Sequence, residues 1–263
     1  VGSEMCIRDR VILYTIRGLR IMQQLKKNAF SFRTFPLFIQ STELIHGTFL
    51  APHDCSDNNI KEIAGQIIKE WQLDGFVYCS QIHRDTIHIV TDIPENKMIC
   101  VPETDALITK QKNIALCIRH ADCQAALFYD KYNRVIAIVH AGWKGLVQNV
   151  YSKVVRAMQE KFATNPNDII VCISPSLGPT VSKYIHHADA FPKYFYSFQI
   201  APNYFDFWKL GTYQLTQVGI QKNNVEVSEI CTFSSPDLFY SYRRTKTSMR
   251  NASLIAIRAY NSK

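Results

Sequence analysis

Apolar side chains recur at helical spacing in the segment at residues 56–71, where the repeat consists of Ile60, Ile63, Ile67 and Trp71. The polar cluster at the start of this segment is suited to capping a helix N-terminus. The pattern predicts an amphipathic helix over residues 56–71.

A second apolar stripe follows Gly145 and consists of Leu146, Val150, Val154, Met158 and Phe162. Lysines and arginines occupy the intervening positions, as expected for the solvent face of a helix. The stripe predicts one long helix that packs against a sheet, and a further helix is expected around residues 206–218.

Short runs rich in β-branched and other apolar residues lie between and beyond these helices. They predict strands at residues 75–80, 86–90, 114–118, 125–129, 135–139, 169–173, 225–231 and 254–257. Most of the runs lack alternation with polar residues, which favours strands that are buried on both faces. The order of elements predicts an α/β fold with mixed sheets and helices outside them.

The length of 263 residues with 47% hydrophobic content permits a substantial core. There is no internal repeat, low-complexity tract or linker composition, so we expect a single domain over residues 11–263. The first ten residues, VGSEMCIRDR, resemble translated sequencing-adapter read-through. Residues 1–10 are therefore expected to be a non-native tail, with a frayed native terminus as the alternative.

Membrane insertion is not expected, because the most apolar stretch, near residues 11–22, is interrupted by Arg17 and Arg20. The charged residues Arg8, Asp9 and Arg10 are unlike a secretory signal. A soluble protein in the cytoplasm follows as the expectation, as a monomer or homodimer.

The net charge of +8 is spread along the chain without a dense basic block, which argues against nucleic acid as a partner and fits an anionic small substrate. The eight cysteines are scattered, several of them within strand-like runs. We interpret them as buried thiols rather than a disulfide framework.

Three segments place metal-binding side chains at or beside predicted strand ends, and these side chains are His83, Cys123 and His140. Strand ends that meet at one edge of a sheet are where α/β proteins collect functional groups. Two imidazoles and one thiolate suit Zn²⁺ or Cu²⁺ and leave a coordination position open for substrate. Each residue taken alone is also compatible with an ordinary structural role.

The segment HAGWKG at residues 140–145 links a strand to a helix through two glycines. Backbone N–H groups at a helix start favour anions, so Gly142 and Lys144 are candidates for contact with phosphate or a developing oxyanion. An ordinary strand-to-helix turn is the alternative.

A set of motifs spread along the chain resembles the YfiH family. The motifs are SQIH at 80–83, ADC at 121–123, HAGWKG at 140–145, SLGP at 176–179, ICTF at 230–233 and FYSYRR at 239–244. This family was once labelled laccase-domain or multicopper polyphenol oxidase. Its members are now understood as purine nucleoside phosphorylases with adenosine deaminase and methylthioadenosine phosphorylase side activities.

The resemblance implies that the family's His–Cys–His triad falls on His83, Cys123 and His140, as both metal ligands and catalytic residues. It also implies a layered α/β sandwich and a purine nucleoside plus phosphate as substrates. The chain departs from the family pattern at His120, where Thr is usual, at GTFLAPHDCS after His46, where an Arg- and Gly-rich turn is usual, and at Val181 and Ser182, where a Cys pair is usual.

The residues we expect to bind substrate beside the triad are Gln81, Gly142, Lys144, Arg243, Arg244 and Arg250. At least one of the arginines is expected to face phosphate or ribose, because a guanidinium suits bidentate contact with oxyanions. We expect His120 not to bind the metal; it is either a group that hydrogen-bonds substrate or a metal ligand, or a simply exposed side chain.

Alternative functions remain open at this point. Zinc deaminases carry an H-x-E plus P-C-x-x-C signature that is absent here, although Asp122 is a candidate proton shuttle or else a structural hydrogen-bonding residue. Some family members are peptidoglycan editing hydrolases. A laccase needs many histidines, several in His-x-His pairs, and this chain has 8 His without such a pair. A non-catalytic metal-binding homologue, and a role for Cys123 as a nucleophile activated by histidine, complete the set.

Overall fold

The computed structural model describes residues 23–27, 30–92 and 97–259. The tail proposed for residues 1–10, including Cys6, lies outside this range. Within the described residues, no helix is long and apolar enough to cross a membrane.

The protein contains two large sheets and one small one. The strands are β1 (Gln23–Lys27), β2 (Phe30–Thr34), β3 (Leu44–Phe49), β4 (Gly75–Cys79), β5 (Ile87–Ile89), β6 (Met98–Val101), β7 (Ala106–Thr109), β8 (Ile114–His120), β9 (Gln124–Asp130), β10 (Val135–Ala141), β11 (Ile169–Ile173), β12 (Gln199–Ala201), β13 (Tyr204–Phe205), β14 (Val225–Val227) and β15 (Asn251–Ile257).

Helices lie between and around these strands. They are α1 (Pro36–Ile39), α2 (Ile60–Trp71), α3 (Trp143–Val147), α4 (Val150–Phe162), α5 (His187–Ala190), α6 (Phe207–Gln217) and α7 (Tyr242–Thr245), together with short 3₁₀ helices at Pro166–Asp168, Pro179–Val181, Lys193–Phe198 and Lys222–Asn224.

Both large sheets mix parallel and antiparallel pairs. The first has the strand order β1-β2-β3-β15-β8-β4-β6, with parallel pairing of β4 to β8 and to β6. The second has the order β14-β11-β9-β10-β7-β5, with parallel pairs at its two edges. The small sheet pairs β12 with β13.

The two large sheets stack face to face with helices outside. In β8, Leu116 and Ile118 pack in a core that joins both sheets, whereas Ala115 and Cys117 belong to the core beneath α2. In β10, alternate side chains divide in the same way between the inter-sheet core and the core beneath α3, α4 and α6. Both faces of each central strand are therefore covered, which explains the uninterrupted apolar runs. The predicted layered α/β sandwich is confirmed.

Most predicted elements are present, with shifted ends. Helix α2 begins at Ile60 rather than at residue 56, because the side chain of Asp54 accepts hydrogen bonds from Ser56 N–H and Oγ and holds the preceding segment as a turn. The strand expected over residues 225–231 ends at Val227. Strands β1 to β3, β6, β7, β12 and β13 were not predicted.

The single long helix expected after Gly145 is wrong in one respect, because two helices occupy this stretch. Asn149 has φ 56°, a left-handed conformation that ends α3 and separates it from α4. Asn adopts this conformation more readily than most residues. The predicted stripe nevertheless faces one core, with Leu146, Val150 and Val154 fully buried there.

Candidate metal centre and its cavity

The three predicted metal-binding residues come from strand ends of both sheets. Strand β8 ends in the first sheet at His120, and β9 begins in the second sheet at Gln124. Residues 121–123 thus cross between the sheets and place Cys123 beside His140, near the end of β10, whose register pairs it with the start of β9. His83 lies in the loop that leaves β4.

The structure brings these three residues together. One donor atom each from His83, Cys123 and His140 lies within 4.8 Å of the others. The two imidazole rings are edge to face with centroids 4.7 Å apart. A Cβ at Gly142 would stand 2.9 Å from Cys123 Sγ and 3.3 Å from His83 Cδ2, so glycine is what allows the backbone to pass this closely.

Asp105, just before β7, connects two of the three residues. Its buried carboxylate accepts hydrogen bonds from the backbone N–H groups of Ile82 (3.2 Å), His83 (3.0 Å) and Arg84 (2.9 Å). Its Oδ1 is also 2.7 Å from His140 Nδ1. This contact fixes the His140 ring and leaves Nε2 for the cluster, as carboxylates do behind metal-binding histidines. Sequence reasoning missed Asp105, whose only signal is an acidic residue at the start of a fully buried strand.

The cluster is strongly polarised. Burial by itself would raise the pKa of Cys123, but the interactions of its thiol with His140 and His83 outweigh burial and lower the pKa to about 6. Burial opposes protonation of His140, whereas Cys123 and Asp105 favour it and raise its pKa to about 9. Burial likewise opposes ionisation of Asp105, but His140 and the backbone N–H groups hold its pKa below the usual value. A thiolate beside an imidazolium is therefore the favoured metal-free state.

This donor set fits a divalent metal ion. Two imidazole nitrogens and a thiolate are borderline-soft ligands of the kind that Zn²⁺ and Cu²⁺ accept. The three donors converge within a span that one ion can bridge, and Asp105 supports one of them from behind. Three protein ligands leave room for substrate at the ion.

A cavity of about 800 Å³ opens over the cluster. One part of its lining is aromatic and consists of Trp143, Tyr184 and Phe207. The Tyr184 ring contacts the other two, with its centroid 6.4 Å from that of Trp143 and 5.1 Å from that of Phe207. Another part is cationic and consists of Arg119, Arg243, Lys246 and Arg250. The aromatic residues, Arg119 and Lys246 were not predicted as cavity residues. Trp143 lies within HAGWKG, where only the glycines, His140 and Lys144 were considered.

Gln81 and Lys144, both predicted to bind substrate, differ in their position relative to the cavity. Gln81 lines the cavity, but its amide is paired with the backbone of Arg119 through Nε2 to the carbonyl (2.8 Å) and Oε1 to the N–H (3.0 Å). Lys144 is exposed, does not line the cavity and holds its Nζ over the Trp143 ring. Helix α3, which follows Gly142, is only one to two turns long.

The three arginines predicted to bind substrate also differ in whether they line the cavity. Arg243 and Arg250 line the cavity, whereas Arg244 does not. The guanidinium of Arg244 donates to the carbonyls of Thr232 (2.7 Å), Phe233 (2.8 Å) and Phe239 (2.7 Å), so it joins two loops of the fold.

Asp122 lines the cavity, but both of its carboxylate oxygens accept hydrogen bonds from the protein. The donors are Thr232 Oγ1 (2.7 Å) and the N–H of Arg243 (2.6 Å). Asp122 also has φ 92°, a conformation rare for a residue with a side chain. These contacts favour the structural role over the proton shuttle.

Comparison with known proteins agrees with this architecture. A family model described as "Multi-copper polyphenol oxidoreductase laccase" matches residues 52–258. The chain is 31% identical over 185 residues to purine nucleoside phosphorylase YlmD of Bacillus subtilis, covering 65% of this chain and 66% of that protein, just under two thirds of its length. It is 27% identical over 244 residues to purine nucleoside phosphorylase YfiH of Escherichia coli, covering 82% and 91%.

A solved structure shares the fold. The crystal structure of a hypothetical YfiH protein from Bacillus licheniformis superposes with a TM-score of 0.76 at 22% identity, over 89% of this chain and 98% of that one. With the family model spanning most of the chain, the conclusion is that this protein belongs to the YfiH family, the family of the multi-copper polyphenol oxidoreductase laccase model.

Proposed function

We propose that this chain is a metal-dependent purine nucleoside phosphorylase that acts on adenosine and inosine. The observation that carries the proposal is the convergence of His83, Cys123 and His140 on the wall of a cavity of about 800 Å³. The names of the Bacillus subtilis and Escherichia coli relatives support it. Phosphorolysis of methylthioadenosine and deamination of adenosine are the proposed side activities.

The lining supplies a place for each part of the substrates. The rings of Trp143, Tyr184 and Phe207 offer apolar faces against which a purine packs. Arg243 donates from Nη1 to the carbonyls of Val181 and Lys183. Arg250 likewise donates from Nη1 to the carbonyls of Thr247 and Met249. We assign the remaining N–H donors of each guanidinium to phosphate and ribose, where charge-assisted hydrogen bonds would hold the anion.

In the proposed reaction, a phosphate oxygen forms a bond to C1′ of the nucleoside while the bond from C1′ to N9 breaks. The purine leaves with that electron pair and takes up the proton that phosphate loses, giving free base and ribose 1-phosphate. Alignment of the two substrates by the aromatic and cationic residues of the lining would lower the entropic part of the barrier. A zinc ion held by His83, Cys123 and His140 would supply Lewis acidity to a neighbouring substrate atom.

Deamination is the weaker activity in this proposal. Among the described residues that line the cavity the carboxylates are Asp57 and Asp122, and none is a glutamate. Asp122 is already bonded to Thr232 and Arg243, and Asp57 pairs with Arg119 at 2.5 Å. A general acid–base carboxylate for attack of water at C6 is therefore not ready in place.

The test is to incubate purified, zinc-loaded protein with adenosine or inosine, with and without phosphate, and to quantify base, ribose 1-phosphate and ammonia. We expect base and ribose 1-phosphate in equal amounts and only when phosphate is present. Base released at the same rate without phosphate would instead establish a hydrolase. Absence of any release from metal-loaded protein would overturn the proposal. Metal analysis of the protein as isolated decides between zinc and copper, with zinc expected.

A further inference from the structure

His120 is a buried histidine on the cavity wall with one unused ring nitrogen. It closes strand β8, is only 1% exposed and lines the cavity. Its Nδ1 has no hydrogen-bond partner among the described residues. An unpaired buried ring nitrogen costs free energy unless a ligand or water meets it, so Nδ1 is available to a polar group that reaches it from the cavity.

The other ring nitrogen of His120 begins a chain of hydroxyl groups. Its Nε2 is 2.9 Å from Ser253 Oγ, which in turn is 2.8 Å from Thr48 Oγ1. The three residues lie on the neighbouring strands β8, β15 and β3, and both hydroxyl residues are fully buried. Either hydroxyl can be donor or acceptor, so the whole chain can be polarised in both directions.

The direction of this chain sets the tautomer of His120. Burial lowers the pKa of His120 to about 3, so the ring is neutral and carries a single N–H. When Ser253 donates to Thr48, it accepts from Nε2–H and leaves Nδ1 as an acceptor. When Thr48 donates to Ser253, Ser253 donates to Nε2 and the proton resides on Nδ1, which is then a donor.

The hydroxyls of Ser56, Ser176, Tyr184, Tyr242 and Ser248 and the amide of Asn58 also line the cavity and can both donate and accept. Among the lining groups of this kind in the described residues, His120 is the buried one with an unpaired ring nitrogen. Arginine and lysine only donate, and ionised carboxylates only accept. The two glutamines of the lining are committed, Gln81 to the backbone of Arg119 and Gln124 to Phe207 O (2.8 Å) and Tyr151 OH (2.6 Å). His120 is thus a buried lining group that can switch between donor and acceptor.

We infer that His120 recognises the 6-substituent of the purine, and that the Ser253–Thr48 hydroxyl chain lets one site accept both 6-amino and 6-oxo nucleosides. The amino group of adenosine donates to Nδ1 in one state, and the oxo group of inosine accepts from Nδ1–H in the other. His120 is a specificity residue, and Ser253 and Thr48 are positioning residues behind it. This inference rests on the proposed nucleoside activity.

Thr48→Val tests the chain without touching the cavity. The valine removes the hydroxyl to which Ser253 donates. Ser253 then donates its proton to His120 Nε2, the ring proton stays on Nδ1, and Nδ1 can only donate. The kcat/KM ratio of adenosine to inosine is then expected to fall about ten-fold, which corresponds to the cost of one buried unmade hydrogen bond. Thr48→Ser restores the hydroxyl and is expected to restore the wild-type ratio.

Purine riboside, which has no 6-substituent, separates recognition from structural damage. In Thr48→Val the ratio of adenosine to purine riboside is expected to fall, and the ratio of inosine to purine riboside is not. A matched control is Thr109→Val, which removes another fully buried strand hydroxyl outside the cavity lining. An adenosine-to-inosine ratio that stays at the wild-type value in Thr48→Val, or that shifts equally in Thr109→Val, would overturn the inference.

Binding of the free bases adenine and hypoxanthine, measured by calorimetry, keeps the inference distinct from the proposed function. Loss of adenine relative to hypoxanthine affinity in Thr48→Val, in a protein that turns over no nucleoside, would sustain the recognition site and reject the phosphorylase. Turnover of both nucleosides with an unchanged adenosine-to-inosine preference in every variant would sustain the phosphorylase and reject the recognition site.

Discussion

Two motif-rich segments, residues 140–145 and residues 239–250, looked alike as candidates for substrate contact, but the structure uses their side chains differently. In the first, His140 and Gly142 lie against Cys123 and His83, with Asp105 behind. In the second, the side chain of Arg244 donates to three backbone carbonyls and never reaches the cavity. Soft donor atoms that converge beside a cavity indicate chemistry, whereas a guanidinium that donates to backbone carbonyls and lies outside the cavity lining indicates a structural role.

The largest loss of activity is expected from removing one of the three residues that are proposed to bind the metal. His83→Ala, Cys123→Ala and His140→Ala each open the coordination shell, so metal affinity should fall by more than the roughly 100-fold typical of groups behind the ligands. Most phosphorolysis should be lost with the metal, while the fold remains largely intact. Metal content by mass spectrometry, kcat and circular dichroism check this together.

Controls for these variants are His88→Ala and Cys100→Ala, because both residues are exposed and outside the cavity lining. Chelation distinguishes a ligand from a nucleophile. Phosphorolysis that survives a strong chelator but not a thiol-alkylating reagent would make Cys123 a nucleophile and reject the metal centre.

Asp105→Asn tests whether the carboxylate behind His140 contributes to metal binding. The amide keeps the size of the carboxylate but removes its charge, so His140 is held less firmly and three N–H groups lose a charged acceptor. We expect metal affinity to fall about 10–100-fold. A competition titration with a zinc chelator measures it, and affinity equal to wild type would show that Asp105 serves the loop alone.

Arg250→Ala and Arg244→Ala separate binding from architecture in the second segment. Arg250 lines the cavity, so its removal should raise the KM for phosphate about ten-fold. Arg244→Ala should instead lower the free energy of unfolding by about 2 kcal/mol, because three carbonyls lose a charged donor. Phosphate kinetics beside thermal unfolding checks the pair, and an equal KM change in both variants would erase the distinction.

The thiol of Cys123 offers a pH test of the polarised cluster in metal-free protein. Because the pKa of Cys123 is lowered to about 6, the thiolate is present above that pH and is lost as the pH falls through it. Alkylation of Cys123 at pH 7 should be several-fold faster than that of an ordinary thiol, with a midpoint near pH 6. Peptide mapping after iodoacetamide treatment, with exposed Cys100 as reference, measures this. A midpoint above pH 8 would contradict it.

The smallest effect is expected at Lys144. It belongs to the HAGWKG segment, yet its side chain is exposed and lies over Trp143 rather than in the cavity. Lys144→Ala should therefore change kcat/KM for either nucleoside less than two-fold, a change well under the 1.4 kcal/mol of a ten-fold effect. A ten-fold loss measured by initial rates would return Lys144 to the substrate site.

Sequence patterns were sufficient to predict the central strands that position Cys123 and His140. The apolar runs before Cys123 and His140 are long and buried on both faces, so β8, β9 and β10 were predicted within a few residues. Strand β7 was not predicted, and Asp105, the residue just before it, was missed with it. The break at Asn149 was also missed, because the apolar stripe continues across it.

By itself, the sequence determined the α/β class with mixed sheets and named His83, Cys123 and His140 as candidate ligands, since ligand chemistry and strand ends are local properties of the chain. The layered arrangement and the triad as a catalytic set came from the resemblance to the YfiH family. Only the tertiary structure decided that Asp105 supports His140, that Arg244 binds carbonyls and that His120 joins Ser253 and Thr48. The physical reason is that each of these roles is a hydrogen bond between distant segments, and a donor's partner is set by the packing of strands and loops that no local pattern records.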